Sequence, residues 1–152
     1  MEAPRHIKLS ELTNELGKLI KSHFESRFYW VLAEVTNHKF YPNQDRHYLE
    51  LVEKSERHSE PMAKIRAVAW QEGTHKITEF EKTTGQIFEN GLQVLLQVKV
   101  EYHAAFGLSL VIQNIDPYFT LGMLEMQKRE TLKRLVQLNP GLIIQQGDEY
   151  LT

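Results

Sequence analysis

The stretch Phe28–Lys39, FYWVLAEVTNHK, predicts a β-strand that runs directly into a polar loop. Small apolar side chains alternate on one face of this strand, and Trp30, Leu32 and Glu34 occupy the other. The residues after the strand mix amides, cations and aromatic rings: Asn37, His38, Lys39, Phe40 and Tyr41. Rings beside cations suit a single-stranded nucleic acid, because its bases stack and its phosphates need neutralising. An ordinary amphipathic strand followed by a surface loop is the alternative reading.

Composition limits the classes of protein to which the chain can belong. Its 152 residues, 41% apolar and 25% charged, predict one folded domain with a hydrophobic core. A net charge of −2 argues against binding nucleic acid by bulk charge but permits a local basic groove. The absence of cysteine excludes disulfides and cysteine-ligated zinc. Because no stretch resembles a signal peptide or a membrane span, we expect a soluble, cytoplasmic protein without membrane contact.

Apolar residues at spacings of three and four predict an amphipathic helix over residues 9–24, with Ser10 as its N-terminal cap. The polar side of this helix mixes both signs of charge, in Glu11, Glu15, Lys18 and Lys21. That mixture predicts a solvent-exposed face rather than a binding one.

Two more strands are predicted at residues 47–53 and 63–70, with a loop at 38–46 before the first and a polar turn ending at Pro61 between them. If their small apolar faces form the core, one sheet face displays Trp30, Tyr48, Arg66 and Trp70. Three rings and a guanidinium on one face would make a stacking platform for bases. Packing of these rings beneath a helix or loop is the alternative.

The second half of the chain predicts a helix over residues 75–89, a hairpin over 92–115 with its tip at 103–107, and a helix from Thr120 to Val136. Asn139-Pro140-Gly141 is expected to end the last helix. The resulting order is mainly β with flanking helices and matches the five-stranded OB-fold barrel, whose second and third strands and first-second and fourth-fifth loops bind oligonucleotides or oligosaccharides. We predict a helical segment at 1–26, the barrel at 27–118, and a C-terminal helix with the start of a linker at 119–152.

Several segments resemble the N-terminal OB domain of the exodeoxyribonuclease VII large subunit: WVLAEVTN at 30–37, YLELVE at 48–53, IRAVAW at 65–70, the segment 94–117 and the leading helix at 9–24. The resemblance implies single-stranded DNA binding, with the DNA presented to a C-terminal nuclease region absent from this chain. It also implies a parent hydrolase that degrades single-stranded DNA without a divalent metal or other cofactor. That enzyme works with a small subunit, which is not expected to contact this domain.

The motifs and loops give a set of expected nucleic-acid contacts: Trp30, Asn37, His38, Lys39, Phe40, Arg46, Tyr48, Lys64, Arg66, Trp70 and Phe106. The chain departs from the family where a glycine usually stands at Ala33 and where Asp45-Arg46 replaces a glycine before the second strand. The family's basic-glycine pair at the last hairpin tip is here Phe106-Gly107, so a cation is lost and Phe106 is a candidate stacking substitute.

No catalytic or metal-binding residues are predicted within the chain. Its seven histidines form no HExxH pattern, and no phosphate-cradling or nucleophile motif is present. Glu34 and Glu50 are expected to bond basic neighbours such as Arg66, or to moderate phosphate affinity, rather than to act as acid and base. Two other functions stay open, namely a protein-interaction module with the aromatic residues as hot spots, and an RNA-binding OB domain of the kind that reads a transfer-RNA anticodon.

Overall fold

The computed structural model describes residues 2–57 and 59–138. Its elements follow in this order: α1 (Leu9–Phe24), β1 (Tyr29–Tyr41), a 3-10 turn (Pro42–Gln44), β2 (Arg46–Lys54), β3 (Pro61–Trp70), α2 (Glu72–Thr84), β4 (Gln93–His103), β5 (Gly107–Ile115) and α3 (Pro117–Leu138). This order is the predicted one of helix, three strands, helix, hairpin and helix, and the strands close into a barrel, which confirms the predicted OB-fold.

The barrel closes because β1 pairs with both β2 and β4, while β3 pairs in parallel with β5. The remaining strand pairs are antiparallel. The inward positions of the strands fill the interior with small and branched side chains, among them Val35, Leu51, Ala69, Leu96 and Ile112. Helix α2 adds Ile77 and Phe80 to this core, and Phe88 follows them from the connection to β4. The apolar alternation in the sequence therefore marks the core correctly.

Helix α2 also fixes the end of the barrel where β1 turns into β2. The hydroxyl of Thr74 lies 2.7 Å from the carbonyl oxygen of Asp45 and 3.2 Å from that of Ala69. Asp45 immediately precedes Arg46 on β2, and Ala69 immediately precedes Trp70 on β3. Arg46 and Trp70 lie opposite each other in the antiparallel register. The Thr74 hydroxyl is buried and can donate to either carbonyl, so it ties the adjoining ends of β2 and β3 to α2.

Two sequence predictions about element ends are wrong. Ser10 does not cap α1, because the helix already begins at Leu9 and the residue before it, Lys8, makes no side-chain capping bond. The predicted loop at 38–46 is mostly strand, since β1 continues to Tyr41 and leaves only the short turn Pro42–Gln44 and one left-handed residue.

The later helices differ from their predicted bounds. Helix α2 ends five residues earlier than predicted, at Thr84, where Gly85 adopts a left-handed conformation with φ of 70°. Helix α3 begins at Pro117 instead of Thr120, and the described residues from Tyr118 to Leu138 belong to a second compact unit. The stop signal predicted at 139–141 lies outside the described residues. The predicted domain boundaries stay predictions.

Candidate functional site

A groove of about 510 Å³ lies on the outer face of β2 and β3, beside the tip of the β4–β5 hairpin. The predicted contacts that line it are Arg46, Tyr48, Arg66, Trp70 and Phe106. They come together because alternate residues of β2 and β3 point outward and because Arg46 lies directly opposite Trp70 in the antiparallel register. The groove thus unites two guanidinium groups and three aromatic rings from three separate parts of the sequence.

The floor of the groove is preorganised by Arg46. Its guanidinium carbon lies 5.0 Å from the centre of the Trp70 ring, and its Nη1 donates a 3.2 Å hydrogen bond to the hydroxyl of Tyr48. The Tyr48 ring in turn meets the edge of Tyr41 at 5.6 Å. Trp70 and Tyr48 nevertheless remain 39% and 38% exposed, so both rings can still accept a flat ligand.

The hairpin tip forms the opposite wall and is held by His103. The Nδ1 atom of this histidine accepts the backbone N–H groups of Ala105 at 3.0 Å and Phe106 at 3.3 Å. The same ring stacks on Phe106 with centroids 4.7 Å apart. Gly107 has φ of 80°, and the Nη2 atom of Arg66 lies 3.6 Å from where a Cβ at this position would be. The tip therefore presents an exposed Phe106 ring to the same groove that Arg66 lines.

A bulge in β1 decides which of its later residues lie on the outer face of the barrel. Between Thr36 and Lys39 the register with β2 shifts, and Asn37 takes a left-handed conformation with φ of 47°. The extra residue inverts the alternation, so Lys39 lies opposite Tyr48 on the outer face of the barrel. His38 and Phe40 turn instead toward His47 and the barrel interior.

His38 and Phe40 thus lie apart from the other predicted contacts, in a half-buried cluster with His47 and Phe88. The Nε2 atom of His38 and the Nδ1 atom of His47 are 2.8 Å apart, and Phe40 stacks on His47 at 4.3 Å. Burial, reinforced by the neighbouring His38, lowers the pKa of His47 to about 4. Burial also lowers the pKa of His38, against an opposing effect of Glu81. The pocket therefore favours the neutral form of both imidazoles, one of which donates the N–H of the hydrogen bond between them.

We expect the free energy of unfolding to fall by about 2 kcal/mol as the pH drops from about 6.5 to about 4. Over this range His47 is protonated in the unfolded chain but stays largely neutral in the folded cluster. Stability should be fully present above pH 6.5 and level off below pH 4. Urea denaturation at a series of pH values measures this. His47→Asn keeps an acceptor for His38 but cannot titrate. The decrease in the free energy of unfolding between about pH 6.5 and about pH 4 should therefore be smaller in this variant. An unchanged pH dependence in that variant would contradict the assignment.

Glu50 holds two further predicted contacts, Asn37 and Lys64. Its Oε1 atom accepts a 2.7 Å hydrogen bond from Asn37 Nδ2, and its Oε2 atom pairs with Lys64 Nζ at 3.1 Å. These partners, Asn37 first, lower the pKa of the Glu50 carboxyl. Glu50 therefore pairs with a basic neighbour, which is Lys64 and not the Arg66 given as the example, and Glu34 similarly pairs with Lys54 at 3.0 Å.

Trp30 is exposed on the outer face of β1 but does not line the groove. It sits opposite Gln97 of β4, whereas the residue opposite Tyr48 is Lys39. The four-residue platform predicted on one sheet face therefore contains Tyr48, Arg66 and Trp70 in the groove, with Trp30 outside it.

The groove also contains residues that the sequence did not single out as contacts, namely Glu101, His103 and Ser109. The sequence predicts their outward position through the alternation along β4 and β5. It does not predict which residues of other strands lie beside them. Only the parallel pairing of Ala67 with Leu110 brings the β4–β5 hairpin beside β3. Tyr41 was missed as a neighbour of Tyr48 because the bulge at Asn37 inverts its direction.

The described part of the chain lacks two other kinds of feature. Within residues 2–57 and 59–138, no three histidine or acidic side chains are grouped closely enough to hold a metal ion. In the same residues, no helix combines the length and apolar character needed to cross a membrane. The aromatic groove is therefore the candidate site.

A protein-family profile described as "OB-fold nucleic acid binding domain" matches residues 7–116. The chain is 31% identical over 122 residues to the exodeoxyribonuclease 7 large subunit of Deinococcus radiodurans, an alignment that covers 76% of this chain and 28% of that protein. The mitochondrial single-stranded DNA binding protein Rim1 of S. cerevisiae and a small single-stranded DNA binding protein of Mycoplasma pneumoniae are similar in structure. Their TM-scores are 0.40 and 0.42 and their identities 13% and 6%, and each match covers 59% of this chain and 90% of the other.

Proposed function

This chain belongs to the family of OB-fold nucleic acid binding domains, and on that premise we propose that it binds single-stranded DNA in the groove between β2, β3 and the β4–β5 tip. One observation carries the proposal, namely that exposed rings and guanidinium groups line the same groove. Trp70, Tyr48 and Phe106 offer faces on which bases stack. Arg46 and Arg66 supply positive charge for the phosphates between them.

The chemistry of this groove favours a single strand over a duplex. Stacking on a side chain needs an unpaired base whose face is open, and in a duplex those faces are covered by neighbouring base pairs. A net charge of −2 means that no general attraction to a duplex supplements the groove. Lys39, beside Tyr48 on the neighbouring strand, extends the positive charge along the groove's edge.

We also propose that the domain presents its DNA strand to a nuclease region of a longer protein. The relative from Deinococcus radiodurans is named as the large subunit of an exodeoxyribonuclease, and the chain spans 28% of its length. In this proposal the hydrolytic residues lie outside the chain, and the groove binds and orients the substrate. Assembly with a small subunit and a role in DNA breakdown in the cytoplasm belong to the same proposal for the parent enzyme.

Fluorescence anisotropy with a labelled single-stranded oligodeoxynucleotide of about 20 bases tests the binding function directly. We expect saturable binding that weakens with salt, with log K falling by about 0.7 per neutralised phosphate for each tenfold rise in salt. The matching duplex should bind more weakly. Tighter binding of the matching RNA would assign the domain to RNA, and no binding to any of the three would favour the protein-interaction function.

Replacement of Glu50 by glutamine should tighten binding and steepen its dependence on salt. The substitution removes a negative charge beside Arg66 and releases Lys64, which then becomes available to one phosphate. The slope of log K against log salt should become more negative by about 0.7. Glu53→Gln makes the same change of charge on the same strand outside the groove, so its slope should not change. A weaker affinity in Glu50→Gln would show that Asn37, and with it the bulge, depends on the carboxylate.

A further inference from the structure

A second cleft, of about 480 Å³, lies between α1 and β4. The helix rests on the strand at Gly17, where a Cβ would lie 3.3 Å from the Tyr102 ring, so the two elements approach closely at this point. Lys18 and Lys21 enter the cleft from the helix, and Lys99 enters from the strand. Three ammonium groups from two separate elements thus border one cavity.

The lysines and the glutamates of α1 differ in whether they line the cleft. Lys18 and Lys21 line the cleft, whereas Glu11 and Glu15, from the same polar side in the sequence, do not. The mixed charge pattern predicted a solvent-exposed face rather than a binding one, whereas the structure turns Lys18 and Lys21 toward β4. None of the ion pairs between described residues involves the three cleft lysines. These cations are therefore not committed to protein carboxylates.

Acidic groups are present in the cleft but fewer than the cations. Glu25 lines it near the end of α1, and Glu101 lines it on β4. Three lysines against two carboxylates leave the cavity with excess positive charge on a chain whose net charge is −2. Thr13 and Asn14 add hydrogen-bonding groups on the helix side. This composition suits an anion that is held by charge and by short polar contacts.

The cleft and the aromatic groove share one lining residue. Glu101 borders both cavities, and Lys99 precedes it by two residues, so both side chains point outward from the same face of β4. A strand that leaves the groove past His103 and Glu101 arrives at Lys99 and then at α1. The cleft itself offers no exposed ring for stacking, since Tyr102 lies against Gly17.

We propose that the α1–β4 cleft is a second subsite, which binds the sugar-phosphate backbone of the same DNA strand after it leaves the groove. This inference rests on the proposed function, because the ligand is the strand held by Trp70 and its neighbours. Lys18, Lys21 and Lys99 contact phosphates without reading bases. The subsite lengthens the bound stretch beyond the aromatic groove and directs the strand along β4 toward α1.

The test compares a short oligodeoxynucleotide of about 5 bases, which fills the groove only, with one of about 16 bases, which reaches both cavities. Lys18→Gln/Lys21→Gln removes two charges from the cleft. Lys76→Gln/Lys82→Gln removes two charges from α2, whose lysines line neither cavity, and serves as the matched control. Anisotropy is measured over a range of salt, and circular dichroism verifies that each variant folds.

For the long oligodeoxynucleotide, the cleft variant should bind about 10- to 25-fold more weakly near 0.1 M salt, with a slope against log salt shallower by about 1.4. Its affinity for the short one should stay within about twofold, and the control should match the unsubstituted protein on both. Equal effects of the cleft and control variants, or an unchanged long-strand affinity, would overturn the subsite alone. Failure of the unsubstituted protein to bind either oligodeoxynucleotide would overturn the proposed function itself.

Discussion

Replacement of Trp70 by alanine should weaken the binding of single-stranded DNA by about 1–3 kcal/mol, or about 5- to 150-fold in Kd. The indole offers the largest exposed ring in the groove, and Arg46 lies over it at 5.0 Å. Removing the ring deletes a stacking surface and also frees the guanidinium to adopt other rotamers, which adds an entropic cost on binding. Anisotropy titration at fixed salt measures the loss, and circular dichroism shows whether the barrel remains folded.

The second tryptophan of the chain supplies the matched control. Trp30 is 51% exposed on the same outer surface, yet it lies opposite Gln97 and outside the groove. Trp30→Ala should therefore change Kd by less than about twofold, below the cost of one lost stacked base. Equal losses of DNA affinity in the two variants would support the wider platform predicted from the sequence, in which Trp30 also contacts the bases. Unfolding of Trp70→Ala would instead show that the ring serves the core.

The alternation of apolar residues predicts most of this barrel because each strand buries one face locally. Val35, Leu51 and Ala69 are buried as the period of two requires, and the helix over residues 9–24 has the predicted bounds. Alternation alone does not predict the bulge at Asn37. A single left-handed residue inverts the direction of every later side chain on β1, so Lys39 lies opposite Tyr48 on the outer face and His38 does not.

The far wall of the groove was harder to predict because it depends on pairing between distant parts of the chain. Arg66 and Phe106 are 40 positions apart in the sequence and meet only because β3 pairs with β5. Propensity and alternation describe faces of single strands, whereas the register between β3 and β5 is set by closure of the whole barrel. The same closure makes Glu101 a border of two cavities, which no local pattern indicates.

Replacement of Gly73 by alanine should destabilise the barrel by about 3 kcal/mol or more, the upper range for overpacking a rigid site. A Cβ at this position in the first turn of α2 would overlap the backbone oxygen of Ile112 on β5. Because a backbone atom of a central strand cannot rotate away, either α2 or β5 must shift. A shift of α2 would also strain the Thr74 bond to Asp45 that holds Arg46 near Trp70. Urea denaturation gives the change in unfolding free energy.

Gly17 in α1 separates this steric effect from the general effect of alanine in a helix. A Cβ there would meet only the side chain of Tyr102, at 3.3 Å, and alanine gains about 1 kcal/mol of helix propensity over glycine. Gly17→Ala should therefore be close to neutral in stability. In Gly73→Ala the steric overlap should cost far more stability than the gain in helix propensity returns. Similar stabilities for the two variants would mean that α2 can move away from β5 freely. In that case the groove floor would be held by the strands alone, and DNA affinity should survive the substitution at Gly73.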